Sequence, residues 1–265
     1  MDFVHAIILG IVEGITEFLP ISSTGHMIIA SSLMGIEDNQ FTKAFEVIIQ
    51  FGAILSVLVL YWKRFLPNWS FYKKLFVAFL PIAIIGFFAK DLVEHMLGSV
   101  QVVAWSLIIG GVILVWSDRW FSHLTTEGQG RTFKDMNYFD SVKLGLFQAI
   151  AMIPGVSRSG ATIMGGLTLG MNKKEAAEFS FFLAVPTMAA ACGYKLLKIY
   201  KTIDAAQINL LLVGGFVAFV VAMLAIKFFI GIVARYGFRG FGYYRIVLGL
   251  VILVMIYSGI ELKLT

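Results

Sequence analysis

Two glutamates four residues apart, Glu13 and Glu17, open the stretch EGITEFLPISSTGH, which runs on through a proline, a row of hydroxyls and a histidine. On a helix that spacing places both carboxylates on one face, where they repel unless they share a proton, shift pKa or meet a cation. In an apolar setting they suit a divalent cation: Mg²⁺ takes one or two carboxylates and completes its shell with water and phosphate oxygens. The plain alternative is a pair that snorkels into a water cavity. Past Pro20 the chain turns and restarts as a helix with Ser22, Ser23, Thr24 and Gly25 at its beginning. Free N–H groups and the helix dipole make such an end an anion site, although capping explains any one of these residues alone. His26, beside hydroxyls and carboxylates, reads as an acid or base.

A second stretch, PGVSRSGATI, sets Ser157, Arg158, Ser159 and Gly160 at another helix start. A guanidinium at membrane depth is costly without an anion beside it. Its partner is either Glu13 or Glu17, or a phosphate gripped bidentately. Two helix starts, an arginine, hydroxyls, a histidine and a carboxylate pair together describe a pocket for a phosphorylated substrate and a metal ion.

The elements that must position these groups lie in lipid. Of 265 residues 59% are hydrophobic and 14% charged, with a mean hydropathy of +0.87, far from the soluble-domain norm. Apolar runs over Ala44 to Trp62, Lys74 to Ala89, Val100 to Ser117, Ala176 to Leu197, Leu210 to Phe229 and Gly242 to Ile260 each have the length of a membrane crossing. The beginning of the chain lacks the basic region and small-residue cleavage site of a signal peptide, so the first apolar segment is expected in the mature protein. The net charge of +5 fits loop lysines and arginines better than nucleic-acid binding. The single cysteine, Cys192, reads as a small packing residue.

The two chemistry-bearing stretches are apolar but broken, and they resemble each other. A shift of 135 positions lays Leu9 and Gly10 on Leu144 and Gly145, Ile15 on Ile150, Ser22 on Ser157, Gly25 on Gly160 and Gly35 on Gly170. Glu13, Glu17, Ser23 and His26 fall on Gln148, Met152, Arg158 and Ala161, so the scaffold is shared and the charged groups are not. The expected fold is an all-α integral membrane domain over 1–265: six transmembrane helices plus two re-entrant helical hairpins. Its inverted repeats run from about 1–118 and 136–265, because three crossings per half turn the second half over. Lys63, Arg64, Lys73, Lys74, Arg119, Arg131, Lys134, Lys173, Lys174, Arg235 and Arg239 outweigh Lys43, Lys90, Lys198, Lys201 and Lys263 on the other side. The richer side should be cytoplasmic and the first hairpin should open outward. Glu46, Gln50 and Glu178 are either supports of the site or interfacial caps. The polar connection from Asp118 to Asp140 is expected to be mobile and without catalytic duty.

Both signature stretches, with FEVIIQFGAIL and EFSFFLAVP, resemble the undecaprenyl-diphosphate phosphatase family, also known for bacitracin resistance, over essentially the whole chain. The resemblance implies a bacterial inner-membrane enzyme hydrolysing undecaprenyl diphosphate to undecaprenyl phosphate and inorganic phosphate, which recycles the lipid carrier of peptidoglycan synthesis. It implies a divalent cation, Mg²⁺ or Ca²⁺, on Glu13 and Glu17, and a pocket toward the periplasm. Its serine–histidine motif carries over onto Ser22, Ser23, Thr24 and His26, and its arginine motif onto Ser157, Arg158 and Ser159. Either Ser23, activated by His26, or a water activated by His26 or a glutamate attacks the terminal phosphorus. The partners expected are the polyprenyl diphosphate and membrane lipids, with a homodimer as a further expectation and no nucleic acid. An inverted-repeat transporter or flippase for a lipid phosphate or small anion is the alternative, which paired carboxylates with a histidine disfavour.

Overall fold

The computed structural model describes residues 1–66, 68–97, 99–124 and 130–259, and among them it is helical, with no strand. In chain order the helices are α1 (Phe3–Thr16), α2 (Ser23–Leu33), α3 (Gln40–Leu60), α4 (Trp69–Phe88), α5 (Lys90–Leu97), α6 (Val100–Trp120), α7 (Tyr138–Ile150), α8 (Arg158–Thr168), α9 (Lys173–Ile199), α10 (Ala205–Tyr236) and α11 (Arg239–Tyr257). Six of these, α3, α4, α6, α9, α10 and α11, are long and apolar enough to cross a membrane. Each overlaps one of the six expected runs, three of them stopping one to three residues short of its end, while Ile260 and Lys263 lie outside the described residues. The short α5 was not foreseen; it follows the last apolar turn of α4 and carries Lys90 and Asp91 at its start.

The other four helices form two short pairs. Helices α1 and α2 have 14 and 11 residues, and α7 and α8 have 13 and 11. At 1.5 Å per residue none reaches more than about 21 Å, short of the roughly 30 Å of hydrocarbon. Helix α1 packs on α10, and α7 packs on α4. Both contacts are close because a glycine stands at the crossing. A Cβ at Gly10 would sit 2.7 Å from the Gly214 carbonyl oxygen, and one at Gly145 would collide with the Ala78 carbonyl and the Pro81 ring. The remaining long helices pair α6 with α11 and α3 with α9.

Under the first short pair lies an aromatic core. Phe18 is fully buried, edge-on to Phe181 at 5.4 Å, and Phe181 in turn meets Phe229 at 6.0 Å. Phe182 joins Tyr61, Phe65 and Phe71 at 5.2–5.7 Å, in the T-shaped geometry that the ring quadrupole favours. The polar connection expected to be mobile is tethered where it is described. Arg131 pairs with Asp140 at 2.6 Å and its N–H donates to the Gly170 carbonyl at 2.7 Å. Phe133 stacks on Phe179 at 5.1 Å, and Lys74 Nζ donates to the Phe133 and Lys134 carbonyls at 3.3 and 3.1 Å. Residues 125–129 of that connection lie outside the described residues.

Candidate active site

Each short pair turns over at a strained serine. Helix α1 starts at Asp2, whose carboxylate accepts from the His5 N–H, and ends as the chain reaches Leu19, which the ring of Pro20 biases out of helical conformation. Helix α7 starts at a capping box of Asn137 and Asp140 and ends before Pro154 and Gly155. Helices α2 and α8 then begin after Ser22 and Ser157, which stand at φ 69° and 72°, the only non-glycine residues with positive φ among the described residues. Such a conformation costs a non-glycine residue about 1–3 kcal/mol and persists only where the surroundings enforce it. The 135-residue shift therefore relates a backbone conformation as well as letters.

The two turns meet through side chains. Ser23 Oγ donates to Glu17 Oε2 at 2.6 Å, and Arg158 Nη2 donates to Glu17 Oε1 at 2.9 Å. Arg158 is held by its other arm, with Nη1 donating to the Ser180 carbonyl at 2.8 Å, and its guanidinium lies 5.7 Å from the Phe18 ring centroid. Ser159 Oγ reaches across to the Leu19 carbonyl at 2.7 Å. Between the turns lies a polar pocket of about 200 Å³ whose wall includes Glu17, Ser22, Ser23, Thr24, Ser157 and Arg158, joined by Gln50 of α3 and Thr187 of α9.

Not every expected residue faces that pocket. His26 is turned elsewhere: its Nδ1 lies 2.7 Å from the Ser22 carbonyl, so that nitrogen carries the proton. Its Nε2 lies 2.7 Å from the Tyr244 hydroxyl. The His26 ring lines a separate, apolar cavity of about 570 Å³ on the far side of the turn, walled by Ile15, Leu19, Phe241 and Tyr244. Ser159 is fully buried, Gly160 gives its N–H to Ser157 Oγ at 3.2 Å, and Gly25 packs toward Leu107, so these three shape the turns and do not line the pocket. Glu178 pairs with Arg64 at 3.7 Å, away from the pocket.

Arg245 is the functional neighbour that sequence reasoning passed over. It is 1% exposed and donates to five backbone carbonyls, among them Pro20 of the first turn and Gly155 and Val156 of the second. Its only mark in the sequence is a charge inside the apolar run YYRIVLGLVILV.

Glu13 tests the fit of a metal ion. It is fully buried, and neither carboxylate oxygen has a hydrogen-bond partner among the described residues. A buried carboxylate left that way is costly, and a cation relieves it. Among the described residues no group of three or more histidine, cysteine, aspartate or glutamate side chains converges. The donor set is thus limited to the carboxylate pair, which fits a largely hydrated hard cation and does not fit zinc.

A multi-span helical membrane protein with two buried turns that close a serine, a glutamate and an arginine around a small polar pocket is the class that fold and site define. The chain belongs to the family described as bacitracin resistance protein BacA, which its residues 6–251 match. It is 82% identical to an undecaprenyl-diphosphatase of Bdellovibrio bacteriovorus over 264 residues, covering 100% of both chains. An undecaprenyl-diphosphatase of Flavobacterium johnsoniae is 50% identical over 96% of each chain, and one of Aquifex aeolicus is 44% identical over 93% of this chain and 96% of its own.

Proposed function

We propose that this protein is a membrane phosphatase that hydrolyses undecaprenyl diphosphate to undecaprenyl phosphate and inorganic phosphate, recycling the lipid carrier of peptidoglycan synthesis and so giving bacitracin resistance. The observation that carries the reading is a serine hydroxyl 2.6 Å from a carboxylate that an arginine also holds, at the mouth of a helix and in a pocket sized for phosphate groups. Full-length relatives named for that activity support it.

In this reading the terminal phosphate enters between the two turns. Arg158, whose buried Nε has no acceptor among the described residues, and the hydroxyls of Ser22, Thr24 and Ser157 bind its oxygens. Ser23 Oγ attacks the terminal phosphorus as Glu17 takes its proton, and undecaprenyl phosphate departs. Glu17 passes that proton to the departing undecaprenyl phosphate; water then cleaves the phosphoserine, with Glu17 taking the water proton and returning it to Ser23 Oγ as inorganic phosphate leaves. His26 holds the Ser22 carbonyl in place and is not the base for Ser23. A divalent cation, Mg²⁺ or Ca²⁺, held by Glu13 and Glu17, would neutralise charge on the phosphate oxygens.

The finer architecture belongs to the same proposal. Helices α1–α2 and α7–α8 are re-entrant hairpins that dip in from opposite leaflets within one domain of two inverted repeats. The paired strained serines and the matched contacts of α1 with α10 and α7 with α4 support it. The site then faces the periplasm or cell exterior of the bacterial plasma membrane, away from the lysine- and arginine-rich end. Transport of a lipid phosphate is the weaker reading, because a serine hydroxyl bonded to a carboxylate in the polar pocket is a device that hydrolysis needs and transport does not.

The deciding experiment is phosphate release from undecaprenyl or farnesyl diphosphate by the detergent-purified protein, with Mg²⁺ and with EDTA, alongside Glu17→Gln and Arg158→Ala. Metal-dependent release that both variants lose supports the phosphatase. No release by the folded protein under any cation overturns it and brings transport to the front.

A further inference from the structure

We propose that the adjacent residues Tyr244 and Arg245 of α11 are the positioning element of the site, a bracket that sets both turns in register so that Arg158, Glu17 and Ser23 align. The inference rests on the phosphatase reading and adds to it two residues that neither signature stretch contains.

The Arg245 guanidinium has five N–H donors in a rigid fork. Its Nη1 donates to the Pro20 carbonyl at 3.2 Å and the Val156 carbonyl at 2.9 Å; its Nη2 donates to the Gly155 and Ser106 carbonyls, both at 3.0 Å; its Nε donates to the Leu107 carbonyl at 3.3 Å. All five donors are used, and every acceptor is a main-chain carbonyl. Three of those acceptors belong to the turns and two to α6. One planar group therefore fixes the first turn, the second turn and a long helix relative to one another.

The packing around the guanidinium is built to admit it. A Cβ at Gly110 would overlap Nη2, and one at Gly160 would lie 3.2 Å from Nη1. Helices α6 and α11 approach through Gly111 and Gly242, where a Cβ on either would come within 2.7 Å of the other's carbonyl oxygen. That approach brings the Ser106 and Leu107 carbonyls within reach of the fork. A charge 1% exposed in an apolar helix, whose hydrogen-bond partners among the described residues are all backbone carbonyls, is a costly feature that an ordinary helix contact does not need.

Tyr244 completes the bracket from the next position. Its hydroxyl donates to His26 Nε2, and His26 Nδ1–H donates to the carbonyl of the strained Ser22. The chain of two hydrogen bonds thus reaches the residue immediately before the attacking serine. The bracket holds the turn on both sides of Ile21, at the Pro20 and Ser22 carbonyls.

The test compares Arg245→Lys and Tyr244→Phe with the wild-type protein and with Tyr243→Phe, whose exposed side chain makes its contact with Arg239 and not with either turn. A lysine keeps the charge but has three donors in place of a five-donor fork. Each variant is checked for thermal unfolding and monodispersity in detergent, then assayed for kcat and KM with undecaprenyl diphosphate. Misalignment by a fraction of an ångström predicts a kcat loss of about 10²-fold in Arg245→Lys and roughly tenfold in Tyr244→Phe, with KM moving by less than about threefold. Tyr243→Phe keeps wild-type values. Combining Arg245→Lys with Ser159→Ala, which removes the bond from one turn to the other at Leu19, should lose less than the product of the two single losses, because both act through one register.

Folded Arg245→Lys with wild-type kcat overturns the bracket, as does a double variant whose losses simply multiply. If Arg245→Lys is not recovered folded, Tyr244→Phe decides, and wild-type kcat there overturns the proposal. Wild-type protein that releases no phosphate overturns the phosphatase reading first and this inference with it, an outcome distinct from active wild type with unaffected variants.

Discussion

Ser23 and Glu17 share a 2.6 Å hydrogen bond, and the roles assigned to them separate on mutation. Ser23→Ala removes the nucleophile and little else, so phosphate release should fall by roughly 10³-fold or more while the thermal midpoint stays put. Substantial turnover in that variant would sink the covalent route and leave a Glu17-activated water. Glu17→Gln differs in leaving the buried Arg158 charge unmatched, which costs stability as well as activity, about 3 kcal/mol by the usual penalty for breaking a buried pair. The strained serines provide a second contrast. Ser22 makes no capping bond with its side chain, whereas Ser157 Oγ accepts from the Gly160 N–H. Ser22→Gly should therefore hold or raise the unfolding midpoint, since glycine adopts φ 69° without penalty, and Ser157→Gly should lower it by the loss of a cap worth about 1 kcal/mol. Equal shifts in the two variants would mean that the turns are not held by these forces. That Glu17, Ser23 and Arg158 belong together was legible because polar groups of that kind are conspicuous in an apolar segment, and the structure joins them by hydrogen bonds. The turn of His26 toward Tyr244 was not, because its partner lies 218 residues away and neither spacing nor periodicity encodes such a distance.

At the scale of elements, hydropathy and proline placement delimit the six long helices and both short pairs, since crossing length and broken periodicity are local properties. What pattern reading misses is set by tertiary contact. The connection after α6 reads as a free polar loop, yet Arg131 is bonded to Gly170 and Asp140, and Phe133 is packed against Phe71 and Phe179. The glycines that were matched between the halves acquire their reason here. Gly10 lets α1 touch the α10 backbone at Gly214, and Gly145 does the same for α7 on α4. Gly10→Leu and Gly145→Leu should each lower the unfolding midpoint and the yield of monodisperse protein, at a cost of about 1–3 kcal/mol for overpacking. Gly193, with nothing within 4 Å of where its Cβ would be, is the control, and Gly193→Ala should change neither. Tolerance of leucine at Gly10 would mean that α1 is free to move off α10.

The whole molecule carries an asymmetry of charge that a membrane converts into orientation. Lys63, Arg64, Lys73, Lys74, Arg119, Arg131, Lys134, Lys173, Lys174, Arg235 and Arg239 cluster toward one end of the helix bundle in the proposed alternating topology, and cationic loops are retained on the cytoplasmic side. In the proposed orientation the two turns would approach each other from opposite faces, and the diphosphate would reach Ser23 from outside. Cys192 is the one cysteine of the chain and is buried, so a Cys192→Ser background offers a clean test of sidedness. Lys201, in the connection between α9 and α10, and Lys134, in the connection between α6 and α7, are both exposed. Lys201→Cys should react with a membrane-impermeant thiol reagent on intact cells, and Lys134→Cys only after permeabilisation. The reverse pattern would put the bundle the other way up and place the pocket on the cytoplasmic side, where a periplasmic pool of undecaprenyl diphosphate has no access to it. Labelling of both sites on intact cells would contradict any single orientation. The expected pattern, joined to phosphate release lost with Ser23, ties recycling of the carrier to the outer face of the membrane.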